Sequence, residues 1–130
     1  MDLGLSGKTA LVTGGGIGIG PAIAKLLAEE GCRVAILARR EHLLNEVADA
    51  IAASGAERPL VIVEDVISDG AAERTKARID EAFGHLDILI NNAGGSRPMD
   101  GLGGEDEWEE AMLLNFTSSR RMAHAFVTGM

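Results

Sequence analysis

Residues Thr13 to Gly20, TGGGIGIG, place five glycines among eight positions directly after the apolar run Ala10-Leu11-Val12. Backbone this bare suits a turn with positive φ, or a ligand that must come close to the main chain. At the start of a helix, free N–H groups and the positive end of the dipole favour an anion such as a pyrophosphate. A flexible loop or a plain strand-to-helix turn is the other reading of the same glycines. Elsewhere, Arg39-Arg40 follow Ala38 and can present guanidinium forks to a phosphate, or can simply open a solvated helix with Glu41. Asp65-Val66 and Asn91-Asn92-Ala93-Gly94 each follow an apolar run, where Asp, Asn and Gly also serve as ordinary turn residues. Asn115, polar among Leu113, Leu114 and Phe116, is a poor helix choice unless it faces solvent.

Other chemistries have less support. His42, His85 and His124 are scattered without ligand spacing, which reads as surface histidine rather than a metal centre. The acidic run Glu105 to Glu110, broken by Trp108, suits a helix N-terminus better than a carboxylate dyad. With a formal net charge of −8 and no long basic run, the chain is a poor nucleic-acid partner. Cys32 is the single cysteine, so no internal disulfide forms and a reducing, cytoplasmic setting is the expectation. The longest uncharged stretch, Thr9 to Ala24, is interrupted by five glycines and Pro21 and is too short to span a bilayer, so no membrane partner is expected. Met1-Asp2 makes a poor start for a secretory signal.

The elements that must position these residues alternate. Ala10 to Val12, Val34 to Leu37, Leu60 to Val63 and Leu86 to Ile90 read as strands buried on both faces. Between them, Ile19 to Glu30, Glu41 to Ser54 and Ser68 to Phe83 carry apolar residues at helical spacing, with Gly31, Gly55 and Gly84 as stops. A last helix, about Glu105 to Thr128, follows the loop Gly94 to Gly104, which holds five glycines and Pro98. Such βαβ alternation predicts one α/β domain over residues 1–130, a three-layer sandwich around a parallel sheet of order 3-2-1-4. Ligands of such sheets bind beyond the carboxyl ends of the strands at the switch point, between the first and fourth strands. The glycine run and Asn91 to Gly94 both belong there.

Thr13-Gly14-x-x-x-Gly18-x-Gly20 followed by Asn91-Asn92-Ala93-Gly94 resembles the cofactor motifs of the short-chain dehydrogenase/reductase family. The glycines do not fall in the register of GxGxxG. The resemblance implies a Rossmann-like fold whose cofactor loop comprises Thr13, Gly14, Gly16, Ile17, Gly18, Ile19 and Gly20. It further implies that Asp65 accepts from the adenine amino group, that the Val66 backbone addresses the ring, and that Asn91 to Gly94 lie beside the adenosine ribose. Trp108 and Asn115 repeat the spacing of the family's fourth helix, which makes Asn115 the candidate relay residue, holding a water and interrupting regular helix bonding.

At the end of the second strand, an acidic residue would bind the ribose hydroxyls of NAD and repel a 2′-phosphate. Ala38 stands there and Arg39 and Arg40 follow, so NADP is expected over NAD. Ile17, where many NADP-using members carry a second basic residue, points to a modest preference.

The family's proton relay needs a tyrosine, a lysine four residues later and a serine. The chain has no tyrosine, and Lys8, Lys25 and Lys76 all precede the fourth strand. The resemblance therefore implies the cofactor-side part of the fold, ending before strands five to seven and before the Tyr-x-x-x-Lys segment. Two functions stay open. One is part of an oxidoreductase transferring a hydride between NADP(H) and a small carbonyl or alcohol, usually as a homo-oligomer. The other is a non-catalytic nucleotide-binding or interaction module.

Overall fold

Along the two central strands, side chains alternate between opposite faces, and each face finds its own helices. The computed structural model describes residues 1–95 and 100–130, so Pro98 of the long loop lies outside the described residues. From β1 (Thr9–Thr13) and β2 (Arg33–Ala38), Leu11, Ala35 and Leu37 face one core while Val12, Val34 and Ile36 face another. The first core is completed by α3 (Ala71–Phe83) and α5 (Ser118–Phe126) through Ala72, Ile79, Met122 and Phe126. The second is completed by α1 (Ile19–Glu29) and α2 (Glu41–Ala53) through Ala24, Ala28, Leu44, Ala48 and Ile51. The result is three layers, α/β/α.

The sheet is parallel with order β3-β2-β1-β4, as the alternation predicts, where β3 is Leu60–Val63 and β4 is Ile88–Ile90. Burial on both faces holds for β1 and β2. The outer strands β3 and β4 are only partly buried, because among the described residues each has a neighbour on one side alone. The register brings the strand ends level: Val12 pairs with Ile90, Thr13 with Leu37, and Ala38 with Val63. The glycine run, Arg39, Asp65 and Asn91 thus all leave the sheet along one edge of its carboxyl face.

Three expectations are corrected. The third helix begins at Ala71 rather than Ser68, because Asp65 first folds the chain into a turn: its Oδ1 accepts from Ile67 N at 3.2 Å and its carbonyl from Ser68 N at 2.9 Å. Such side-chain-to-backbone bonds compete with helix initiation. The last helix is not uniform, running as α4 (Glu105–Met112), a π-helical segment (Leu113–Thr117), α5, and a 3-10 turn at Val127–Gly129. Phe126, which lies on the last helix with Trp108, Met112 and Phe116 and would add to an apolar outer surface there, is instead 3 % exposed and packs in the α3/α5 core. Cys32 is buried, its Sγ 3.4 Å from the Leu5 carbonyl, and burial, then the charges of Asp87 and Glu30, push its thiol pKa up.

At the opposite edge of the sheet, Asp87 joins the start of β4 to that of β1. Its Oδ2 accepts from Thr9 N at 2.9 Å and Thr9 Oγ1 at 3.3 Å, and lies 3.2 Å from His85 Nε2. The Thr9 N–H, aided by the charges of His85 and Lys8 and opposed by burial, holds the Asp87 carboxyl below the usual carboxylate range. A carboxyl with a depressed folded pKa stabilises the fold above its unfolded pKa and loses that contribution as pH falls through the folded value. Denaturant titrations of wild type and Asp87→Asn are therefore expected to differ at pH 7 and to converge as the pH is taken below the usual aspartate range. A gap that widens on acidification would refute this assignment.

Candidate nucleotide-binding site

Thr13, the last residue of β1, is buried and its hydroxyl is fully engaged. Oγ1 accepts from Asn92 N at 3.1 Å and Ala93 N at 3.0 Å, and donates to the Ile90 carbonyl at 3.4 Å. Asn92 answers with Nδ2 donating to the Gly14 carbonyl at 3.1 Å. Asn91 reaches the other way, Nδ2 donating to the Ser119 carbonyl of α5 at 3.3 Å. The two asparagines therefore join the loop after β4 to the glycine run and to the last helix, while Ala93 and Gly94 face the crevice.

That crevice, about 300 Å³, lies over the strand ends. Its walls include Gly14, Gly16, Ile17, Ala38, Arg39, Arg40, Asp65, Val66, Ala93 and Gly94, residues drawn from four separate loops. Of the residues singled out in the sequence, Thr13, Gly18, Ile19, Gly20, Asn91, Asn92 and Asn115 do not line it. Leu43, Glu64, Ile67, Gly95, Glu110 and Leu114 do, and sequence reasoning passed over them. Glu64 carried a legible signal, since it directly precedes Asp65 at a strand end. Leu43 and Leu114 looked like any core-facing helix residue.

The glycines divide by role. A Cβ on Gly14, whose φ is +69°, would stand 2.9 Å from Asn92 Nδ2 and 3.0 Å from the Ala93 Cα. One on Gly15 would meet the Ile36 Cβ at 2.7 Å, and one on Gly20 would collide with the Gly14 carbonyl. These three let strand, helix and the loop after β4 pack closely. At Gly14 the missing side chain would press on the loop after β4, while its backbone lines the crevice. Gly18 is the open one: it caps the N-terminus of α1 with φ +74° and ψ −131°, and a Cβ there would meet nothing within 4 Å. Among the described residues no side chain caps α1, so its first N–H groups have no side-chain acceptor there.

Arg39 and Arg40 are exposed, and neither side chain has a hydrogen-bond or ion-pair partner among the described residues. Asp65 uses one oxygen on Ile67 N, and the other has no partner among the described residues. Asn115 sits mid-way along the π-helical segment, as its expected interruption of the helix requires. Its Nδ2 donates to the Gly95 carbonyl at 2.8 Å and to the Ala111 carbonyl at 3.0 Å, and its Oδ1 accepts from Gly95 N at 2.9 Å. Both amide hydrogens are used, so the side chain braces the loop after β4. The donor set suits an anionic dinucleotide: uncapped helix N–H groups beside an open glycine, free guanidinium groups, and a carboxylate with a spare oxygen. Among the described residues, no group of three His, Cys, Asp or Glu is placed to hold a metal ion, and no helix is long and apolar enough to cross a membrane.

Residues 8–130 match the family model described as short chain dehydrogenase. The chain belongs to this family. It is 37% identical to an uncharacterised oxidoreductase of Bacillus subtilis over 100% of this chain and 48% of that protein. It is 39% identical to a 3-oxoacyl-[acyl-carrier-protein] reductase of Vibrio cholerae over 98% of this chain and 51% of that protein. Among solved structures it is similar to an L-sorbose reductase of Gluconobacter frateurii complexed with NADPH and L-sorbose. The TM-score is 0.93 at 33% identity, covering 100% of this chain and 50% of that one. A metagenomic short-chain oxidoreductase in complex with NADP superposes with a TM-score of 0.90 at 32% identity, covering 96% of this chain and 57% of that one. The chain thus spans about half the length of these relatives.

The contrast between Gly18 and Gly20 is testable by thermal unfolding. Gly18→Ala meets no neighbour and carries only the strain of a positive φ combined with ψ −131°, a sparsely populated backbone conformation costing about 1–3 kcal/mol. Gly20→Ala must displace the Gly14 carbonyl and is expected to lose most of the folded population. Equal melting temperatures for the two variants would overturn the division of roles.

Proposed function

We propose that this chain holds NADP(H) in the crevice over β1 to β4. In the complete protein it would form the cofactor-binding part of an oxidoreductase that moves a hydride between NADP(H) and a small carbonyl or alcohol. One observation carries the reading: the glycine run, Arg39 and Arg40, Asp65-Val66 and Ala93-Gly94 converge on one crevice from four loops. The NADPH and NADP complexes of two structural relatives support the cofactor class. When bound, the cofactor supplies a nicotinamide that accepts or donates the hydride.

The residues of this chain then have separable tasks. The N–H groups at the start of α1, beside Gly18, meet the pyrophosphate. Arg39, with Arg40 beside it, meets the 2′-phosphate, and Ala38 leaves out the carboxylate that would repel it. The free oxygen of Asp65 accepts from the adenine amino group while the Val66 backbone addresses the ring. Asn115 holds the backbone at Gly95 and so keeps Ala93-Gly94 in line beside the ribose. The chain works in a reducing cytoplasm, consistent with its lone, buried thiol.

Within these 130 residues there is no tyrosine and no lysine after Lys76, so nothing in them matches the family's acid. General acid–base assistance is worth about 10²–10⁴-fold, and binding is expected without turnover. That same absence favours the second reading, a nucleotide-binding or interaction module without catalysis. Calorimetric titration is expected to give tighter NADPH than NADH binding, with Arg39→Asp weakening NADPH by about 1.5–3 kcal/mol, the range of a charged hydrogen bond. NADPH absorbance is expected to stay constant with a panel of aldehydes and ketones. Equal affinities for both cofactors, or turnover by the 130-residue chain, would remove the respective half of the proposal.

Copies of the chain are also proposed to associate. Trp108, Met112 and Phe116 recur every four residues along α4 and the π-helical segment and are 55%, 53% and 58% exposed. Among the described residues β4 is also an edge strand, and such an edge templates pairing with another chain. Light scattering at micromolar concentration is expected to show a dimer or larger species. A strictly monomeric chain would contradict association.

A further inference from the structure

Glu64 sits where it ought to work against the cofactor preference just described. Ala38 and Val63 are register partners on β2 and β3, and Glu64 N donates to the Ala38 carbonyl at 3.0 Å. Arg39 and Glu64 are therefore the first residues beyond the ends of adjacent strands, whose spacing is about 4.8 Å. Both line the crevice. A free carboxylate at this point has two consequences: it pairs with Arg39, taking the guanidinium out of use, and it repels a dianionic 2′-phosphate.

Neither happens, because Glu64 is already held. Arg74, in the first turn of α3, closes a two-pronged fork on it, Nη2 to Oε1 at 2.7 Å and Nε to Oε2 at 3.0 Å. A third guanidinium N–H, on Nη1, donates to the Asp69 carbonyl at 2.9 Å, which fixes the direction of the fork. Gly70 leaves the space for it, since a Cβ there would stand 2.7 Å from Arg74 Nη1. The Glu64 side chain is only 14% exposed while that of Arg74 is 53% exposed, so the carboxylate is tucked in and its partner covers it from outside. The hydrogen bond from Arg74 also holds the Glu64 carboxyl below the usual range, so its charge is balanced by a partner and not removed by a proton.

We propose that Arg74 is a specificity-determining positioning residue, which keeps NADP preferred by holding the Glu64 carboxylate away from Arg39; the inference rests on the cofactor reading above. With Arg74 half-exposed, the pair contributes only modestly to stability even in this bidentate geometry. What the fork decides is which arginine takes the carboxylate, and hence which arginine is left for a phosphate. Ten residues separate the partners, and the intervening turn built on Asp65 brings Arg74 back over the strand end.

The test is calorimetric titration of NADPH and NADH against the 130-residue chain and its variants. In Arg74→Met, NADPH is expected to bind about ten-fold more weakly while NADH stays within about two-fold, because only NADPH places a second charge beside the released carboxylate. Adding Glu64→Gln to Arg74→Met is expected to restore NADPH affinity to near the wild-type value. If Arg74 merely shapes the turn that carries Asp65 and Val66, both cofactors weaken together and Glu64→Gln rescues neither, which overturns the proposal. Circular dichroism establishes folding. Should Arg74→Met not fold, Arg74→Gln keeps a donor for the turn without the charge, and the same unequal loss is expected from it. Wild-type affinities that are equal for NADPH and NADH would remove the underlying cofactor reading itself, an outcome visible before any variant is made.

Discussion

A single buried hydroxyl holds the crevice together. Thr13 Oγ1 has one proton and two lone pairs, and all three are used on the chain end that leaves β4: the Ile90 carbonyl, Asn92 N and Ala93 N. Unlike a ladder bond, this contact acts beyond the last paired residues, where Asn92 and Ala93 have left the sheet. Without it, Ala93 N would lack an acceptor, a cost of about 1–3 kcal/mol, and Asn92 N would keep the Ile90 carbonyl at 3.1 Å alone. The Asn92 amide continues the seam to the Gly14 carbonyl, against which Gly20 of α1 packs without a side chain. Strand, loop and helix are locked in one place, and the openness of Gly18 is meaningful only because its neighbours cannot move.

The second organising feature is charge at the level strand ends. Parallel strands in this register deliver Arg39 and Glu64 side by side, and each could satisfy the other. Arg74 resolves that competition from α3, so a cation remains available on the crevice side of β2. The arrangement shows why a count of charges says little here. A net charge of −8 coexists with two guanidinium groups at the end of β2 that are unpaired among the described residues, and Glu64, across the strand end from Arg39, is already paired with Arg74.

Asn115 shows a third kind of constraint, in which an irregular helix serves the loop beside it. In the π-helical turn its amide reaches Gly95 with both a donor and an acceptor, and a Cβ on Gly94 would strike Asn115 Oδ1 at 2.8 Å. Loop and helix therefore fit only with a glycine on one side and an asparagine on the other. The sequence-level oddity of a polar residue among Leu113, Leu114 and Phe116 reported a real feature, though its visible partner is backbone.

Local pattern was enough to determine the alternation of strands and helices, the strand order and the loops that converge. Period-two and helical spacing reflect burial, and parallel βαβ units permit few arrangements. The glycine run and Asn91 to Gly94 were legible as partners because both follow strands that flank the switch point. Only the tertiary structure decided what each glycine makes room for. Gly14 and Gly18 both have positive φ in the same loop, yet one faces Asn92 and the other faces open space. It also decided that Phe126 turns inward and that the chain after Asp65 makes a turn before α3 begins. The pairing of Glu64 with Arg74 was hidden for the same reason. Spacing along a chain encodes periodicity within an element, whereas the choice between two arginines for one carboxylate depends on how separate elements meet in space.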